Sequence, residues 1–411
     1  MTAISGRSDR RTFLRNGLRG LTGLALLSTA TRPAGAAAVD PASPPAPVIH
    51  RVLGRTGLRL PVISLGCGLV DTPQLARAAL DEGMIYFDTA PPYGGGKNES
   101  VLGEIFQGLP RESFVVGTKI GLPEDTRTGL LPETITPDTL RNYFRDSLDA
   151  SRHRLGLETV DILYLYGPAQ PEYLALPMVK EALLELKAAG KTRFLGVSFH
   201  QNEPAMLRAA VEQGIYDVVL TSYNFRQPHV AEVRAAIAAA ASAGLGVIAM
   251  KTMAGVYWDR ERQQPIDAGA AMRWVLQDPH VHTLVPGVSS LDQLALNAGL
   301  LRDITFTPAD RQSLRLEQPA KQAGLYCAQC GTCRAQCRQG LDIPTAMRSY
   351  MYAYGYGRAA LAQATLRLRD AASFTCRDCA ECAVHCPQGF PVADRLRDVT
   401  RLLDVPSDFL A

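Results

Sequence analysis

What this 411-residue chain lacks narrows its function before any motif is read. A surplus of one charge is missing: 43 lysines and arginines face 40 acidic residues. Residues 1–38 hold six of those arginines and one aspartate, so without them 37 basic side chains face 39 acidic ones. No basic field of the kind that grips a phosphate backbone remains, and no nucleic-acid partner is expected. The weakly apolar stretch from Gly17 to Ala30 is broken by Gly, Thr and Arg19. It falls short of the roughly 20 apolar residues a spanning helix needs, so no stable membrane span is expected. After residue 49 there is no low-complexity tract and no coiled-coil heptad. No Gly-x-Gly-x-x-Gly opens the first helix, which removes the signature of a doubly wound dinucleotide fold. Histidine is scarce, with seven in all, and His200, His229 and His282 have no metal-ligand spacing among them, so structural roles are their default.

What is present is clearest near the end of the chain. Eight of the nine cysteines form two copies of one spacing, Cys327-x2-Cys330-x2-Cys333-x3-Cys337 and Cys376-x2-Cys379-x2-Cys382-x3-Cys386. A cubane cluster needs four thiolates converging from different directions, and a loop of x2 steps wraps only three of its irons. In ferredoxin-like pairs the last cysteine of each run serves the other cluster. The spacing therefore predicts two [4Fe-4S] clusters, one on Cys327, Cys330, Cys333 and Cys386, the other on Cys376, Cys379, Cys382 and Cys337. Structural zinc and disulfides are the competing readings, but zinc sites rarely use the x2-x2-x3 run. Pro387 follows Cys386 as the pattern expects, whereas Arg338 follows Cys337, so the second run is the firmer of the two. The ninth cysteine, Cys67, reads as a small core residue.

At the other end, residues Ser8 to Arg15 carry Arg10-Arg11 followed by Thr12-Phe13-Leu14, which resembles a twin-arginine export signal. Ala34-Gly35-Ala36-Ala37-Ala38 supplies an A-x-A-type cleavage site, and a Pro-rich spacer occupies residues 39–49. The signal is expected to cover residues 1–38 and to be removed, leaving an exported, periplasmic protein. The twin-arginine translocase would be a partner, since that route carries proteins already folded around their cofactors.

Between signal and cysteines, short apolar, β-branched runs alternate with longer amphipathic segments, the rhythm of βα units. Eight strands are expected: 62–66, 85–90, 114–120, 161–167, 193–199, 217–224, 246–253 and 282–288. Pro137 to Leu155, with Thr136 as N-cap, and Pro228 to Ala243 read as helices. The expected fold class is α/β: a (β/α)8 TIM barrel over residues 50–318, followed by a small, mostly α-helical ferredoxin-like domain over residues 323–405. In such barrels chemistry sits at the C-terminal ends of the strands. There the second strand presents Asp88 and, shortly after, Tyr93, and the third presents Lys119. An ammonium that lowers a tyrosine's pKa, held by a carboxylate, makes a proton donor for a carbonyl.

On these residues the chain resembles the aldo-keto reductases. Leu53-Gly54-Arg55-Thr56-Gly57-Leu58 is similar to that family's N-terminal hairpin. Asp88-Thr89-Ala90 with Tyr93-Gly94, Glu99 and Leu102-Gly103 is similar to its active-site segment, and Gly196-Val197-Ser198 with His200, then Tyr223-Asn224, to its fifth- and sixth-strand motifs. Pro286-Gly287-Val288-Ser289-Ser290 with Gln293 and Asn297 resembles its site for the cofactor phosphate and adenine. The resemblance implies that Tyr93 donates the proton, that Lys119 and Asp88 tune it, and that NADP or NAD is held by Ser198, Tyr223, Asn224, Lys251, Gly287, Ser289, Gln293 and Asn297. Tyr166 stands where the family usually ends its fourth strand with histidine, and Gln293 where an arginine is frequent, which weakens the case for a 2′-phosphate.

The expected activity is hydride transfer between a nicotinamide and a small carbonyl or alcohol substrate, with electrons relayed singly through the clusters to a redox partner. The alternatives are an idle barrel serving an electron-transfer module, or clusters that only brace the C-terminal domain. Tyr257-Trp258, in the loop after the seventh strand, is a weak substrate-site lead. The run Tyr350, Tyr352, Tyr354 and Tyr356 is expected to shield the clusters from water.

Overall fold

The computed structural model describes residues 46–124, 130–168, 170–259, 261–317, 325–327, 329–376, 379, 382–387 and 389–410. The expected signal, residues 1–38, lies outside the described residues. Strands β1 (His50–Val52) and β2 (Arg59–Pro61) form an antiparallel hairpin. Eight parallel strands follow: β3 (Leu65–Gly66), β4 (Tyr86–Asp88), β5 (Val115–Gly121), β6 (Val160–Tyr166), β7 (Thr192–Phe199), β8 (Val218–Ser222), β9 (Gly246–Met250) and β10 (Thr283–Leu284). Each pairs with its sequence neighbour from β3 to β10, and parallel bridges from Ile63 to Leu284 and from Gly66 to Gly287 join the two ends of the sheet. All eight expected strands are found, in a nearly closed barrel.

Their ends are shorter than expected, for local reasons. Beyond Met250 the backbone of Lys251 turns to φ 56 and that of Ala254 to φ 52, which ends the extended conformation. Beyond Leu284 lies Pro286, which has no N–H to give a ladder.

Strand alternation sends one set of side chains into the barrel, among them Tyr86, Ile162, Tyr164, Val218, Leu220 and Ile248. The Tyr164 ring fits because its neighbours have no side chain: a Cβ at Gly196 would lie 2.5 Å from that ring, and one at Gly117 2.8 Å from it. The other set packs outward against amphipathic helices. The Pro137–Leu155 helix starts in a Thr136 capping box and ends at Gly156, φ 66, burying Leu140, Phe144, Leu148 and Leu155.

The C-terminal region is mostly helical, with helices Ile343–Tyr350, Ala359–Leu366 and Val392–Thr400 around a core of Ile343, Met347, Tyr350, Leu366, Phe374, Leu396 and Val399. The first of these continues as a π-helical turn, Met351–Gly355. A second apolar cluster joins this region to the barrel: Tyr326, Met351, Tyr352 and Ala362 bury themselves with Ala254 and against Phe225. Arg369 ties to Glu124, in the loop after β5, at 3.1 Å. No helix among the described residues is long and apolar enough to cross a membrane.

Candidate active site and cluster ligands

Strand β4 delivers Asp88 to the barrel mouth, and the turn that follows, with Gly94 at φ 61 and Gly95 at φ 63, carries Tyr93 alongside it. Lys119 rises from β5 between them. Its Nζ donates to both Asp88 carboxylate oxygens and to the Thr89 carbonyl, each at 2.8 Å, and to the Tyr93 hydroxyl at 3.4 Å. The ion pair is almost wholly buried, with 2% of the lysine and 6% of the aspartate side chain exposed. Burial raises the Asp88 carboxyl above its ordinary value against the pull of Lys119. Burial first, then the Asp88 charge, pushes the Tyr93 phenol well above its ordinary value. This corrects the expectation that Lys119 lowers it: the ammonium is spent on Asp88, and the pair carries no net charge to stabilise a phenolate. Tyr93 therefore stands as a neutral phenol, a proton donor.

Tyr166, the last residue of β6, lines a cavity of about 550 Å³ together with Lys119, Pro91, Phe199 and His200. Its ring meets the His200 ring edge-on, with centroids 6.3 Å apart. Burial, helped by Arg348, Lys251 and Lys119, lowers the His200 imidazole well below its ordinary value, so it is neutral. Lack of metal-ligand spacing puts His200 among the structural histidines, although the family resemblance sets it in the fifth-strand motif. The other two are structural, His229 meeting Glu203 at 3.0 Å and His282 accepting from the Val247 N–H at 2.9 Å. The missed signal was parity: His200 lies two residues beyond inward-facing Ser198. The far wall of the cavity comes from the C-terminal region, through Gln329, Arg334, Thr345, Arg348, Leu368 and Arg369.

The expected cofactor residues divide. Ser198, at the end of β7, is buried with no partner for its hydroxyl, as a position waiting for a polar group would be. Ser289 and Gln293 lie beyond β10 at the start of the Leu291–Leu300 helix, where the Ser289 N–H donates to Gln293 Oε1 at 2.8 Å and Ser290 caps the helix. Gly287 precedes them, bridged to Gly66, and Asn297 is buried in the same helix. Such a helix start suits a phosphate. Between these ends the C-terminal region intervenes: Asn224 donates to the Tyr326 hydroxyl and Lys251 to the Tyr352 hydroxyl, each at 2.7 Å. Ser198 and the Ser289–Gln293 helix start would suit the reacting end and a phosphate of a dinucleotide, while Tyr326 and Tyr352 take the polar groups of Asn224 and Lys251 on the strands between them.

Tyr223 does not belong to this set. Its hydroxyl donates to Asp278 at 3.2 Å and accepts from Arg234 at 2.9 Å, and its ring packs 5.3 Å from Trp274. Alternation along the strand places it on the outer face, with Ser222 and Asn224 facing in. Tyr352 corrects the shielding role expected for the tyrosine run, since it reaches the barrel mouth; Tyr350 stays in the C-terminal core. Burial would raise the Tyr352 phenol, but Lys251 and Arg348 outweigh it and hold the group below its ordinary value. Trp258 lies between Arg226 and Arg315 as a packing residue, and Cys67 is buried with its thiol on the Leu65 carbonyl.

Cys327, Cys330, Cys333 and Cys386 line one cavity with Pro344, Met347 and Phe390, and Cys376 feels Cys379, Cys382 and Cys337 electrostatically. Each group takes its fourth member from the other run. Burial pushes the Cys327 thiol up to about 12 and Cys333 to about 11, so these sites need bound cationic iron to hold thiolates. Among the described residues no group of three or more ligating side chains closes on a single metal ion. Cys327 also borders a small cavity with His200, Ser222 and Lys251, at the barrel mouth.

Comparison with known proteins agrees with this architecture. Residues 70–270 match the aldo/keto reductase family and residues 326–391 a 4Fe-4S dicluster domain. A D-threo-aldose 1-dehydrogenase of a Pseudomonas species is 30% identical over 299 residues, covering 59% of this chain and 89% of that protein. The L-galactose dehydrogenase of Arabidopsis thaliana is 32% identical over 164 residues, 36% of this chain and 47% of that protein. In three dimensions an aldo-keto reductase of Bacillus halodurans, in its holo form, superimposes with a TM-score of 0.52 at 23% identity, over 66% of this chain and 97% of that one. The chain is thus a member of the aldo/keto reductase family whose barrel continues into a 4Fe-4S dicluster domain.

Proposed function

We propose that this protein is an exported oxidoreductase acting on the carbonyl or alcohol carbon of a small polyol, with a nicotinamide as hydride carrier and Tyr93 as the group that moves the proton. The observation that carries this reading is Tyr93 held beside the buried Lys119–Asp88 pair, with Lys119 itself lining a cavity large enough for a sugar. A bound nicotinamide would supply or accept the hydride, and the clusters would supply one-electron acceptors. The chain itself handles the rest. Tyr93 gives its proton to a carbonyl oxygen in reduction and regains it in oxidation, while Tyr166 and neutral His200 offer hydrogen bonds that orient that oxygen. Two relatives named for aldose and galactose oxidation support a sugar-like substrate. The paired arginines at residues 10 and 11 support export by the twin-arginine route. Cys327 at the barrel mouth supports a relay, since it sets one cluster's ligands beside the reacting end of the site.

Tyr93→Phe tests the enzymatic reading. With clusters intact, kcat for aldose oxidation or reduction should fall by about 10²–10⁴-fold while nicotinamide affinity holds, the usual weight of a general acid. Undiminished turnover in that variant would leave an electron-transfer module with an idle barrel.

A further inference from the structure

The cavity that Lys119 lines beside Tyr93 carries five cationic side chains among its described residues, and four of them have an acidic partner. Lys119 is held by Asp88 at 2.8 Å, Arg154 by Glu99 at 2.7 Å, Arg334 by Asp342 at 2.8 Å and Arg369 by Glu124 at 3.1 Å. His200 is neutral. Arg348 lines the same cavity and makes no side-chain hydrogen bond or ion pair to any described residue. It is half-buried, close enough to Tyr166, His200 and Tyr352 to act on each electrostatically. Among the described lining residues the acid is Glu124, which meets Arg369. The chamber therefore carries, among the described residues, one guanidinium without an acidic partner, in the wall that the C-terminal region supplies.

A fork of N–H donors with no partner, partly removed from water, favours a planar anion that takes two parallel hydrogen bonds. The position is fixed: Arg348 sits on the Ile343–Tyr350 helix, whose preceding residue Asp342 accepts from Arg334 at 2.8 Å and meets Arg369 at 3.6 Å. We propose that Arg348, carried by the cluster-bearing domain, binds the carboxylate of a substrate whose reacting carbon lies at Tyr93, so that the substrate class is sugar acids in place of neutral sugars. This rests on the oxidoreductase reading for the reacting end, while the anion contact stands on its own.

Three compounds differing only at C6 test it: D-glucuronate, D-glucose and D-glucose 6-phosphate, with the galacto series run alongside. For the full-length protein with its clusters, kcat/KM should favour the uronate over the aldose. In Arg348→Gln that ratio should fall by about 10–100-fold, as expected for loss of a charge-assisted pair, and Arg348→Lys should recover part of it. A ratio near one in the native protein, or one unchanged by Arg348→Gln, overturns the proposal. So does an Arg348-dependent preference for the 6-phosphate without one for the uronate. Isothermal titration of the uronates into native and Arg348→Gln protein separates this inference from the reading it rests on. Uronate binding lost in the variant supports the anion site even if no sugar is turned over. Binding that is equal in both proteins, or absent from both, counts against it.

Discussion

Tyr93, Lys119 and Asp88 were legible from residue type and strand position alone, because a carboxylate, an ammonium and a phenol at neighbouring strand ends have few other reasons to meet. Their electrostatics were not. The direction of the Tyr93 shift is set first by burial and then by the Asp88 charge, and neither the burial nor the 2.8 Å hold of Asp88 on Lys119 is written in residue type. Tyr352 was missed for a related reason, as it owes its place to packing that residue type does not encode, whereas His200 was readable from its parity with Ser198. Tyr352 gives a prediction at this scale. Its hydroxyl accepts from Lys251 at 2.7 Å, occupying a cation of the proposed cofactor site. Tyr352→Phe keeps the ring and frees the ammonium, so NADPH and NADH should bind about tenfold more tightly, the equivalent of roughly one hydrogen bond to a charged group. Fluorescence titration checks it, and weaker binding would show that Tyr352 itself helps to hold the dinucleotide.

Among the elements, the strand rhythm was readable because apolar, β-branched runs spaced by amphipathic segments leave little alternative to βα units. The strand ends were not, since Lys251 and Ala254 adopt positive φ without a glycine to announce it. Outward Tyr223 shows the limit of reading a motif without its parity: one residue of shift moves a side chain from barrel mouth to helix layer. Inside the barrel, Tyr164 fills space that Gly117 and Gly196 leave open. Gly196→Ala places a methyl against its ring and the Val218 carbonyl, at 2.5 and 3.1 Å, and should cost about 1–3 kcal/mol of stability by overpacking, read from the urea midpoint. Gly299→Ala, where a Cβ meets nothing within 4 Å, is the control. The π-helical turn at Met351–Gly355 has no sequence mark, and it lies where the tyrosine run meets the barrel, as such turns often lie at functional sites.

At the scale of the whole molecule, the C-terminal domain is part of the chamber. It supplies Arg348 and Gln329 to the cavity wall, Tyr326 and Tyr352 to the mouth, and the Arg369–Glu124 tie. Cluster loss should therefore reach the barrel. Without iron, Cys327 and Cys333 are half-buried thiols held above their ordinary range by burial, and the short Thr332–Gln336 helix that carries Cys333 is tied to its surroundings through the Arg334–Asp342 pair and the Gln336–His385 hydrogen bond. Oxidative extraction of the clusters with a chelator should raise protease sensitivity in 325–400 first. Nicotinamide affinity should change in the same preparation, while far-UV circular dichroism of the barrel persists. Simultaneous loss of both would mean that the domains fold as one unit.

The sequence by itself determined the two cysteine runs, the barrel and the meeting of Asp88, Tyr93 and Lys119, because each is written in local terms: spacing that suits a cubane, periodicity that sorts inside from outside, residue types at strand ends. Only the tertiary structure decided which tyrosines reach the barrel mouth and which cavity cation has no partner among the described residues. Those outcomes depend on contacts between segments a hundred or more residues apart, such as Asn224 with Tyr326 and Lys251 with Tyr352, and pairing at that distance is fixed by packing, which no local pattern records.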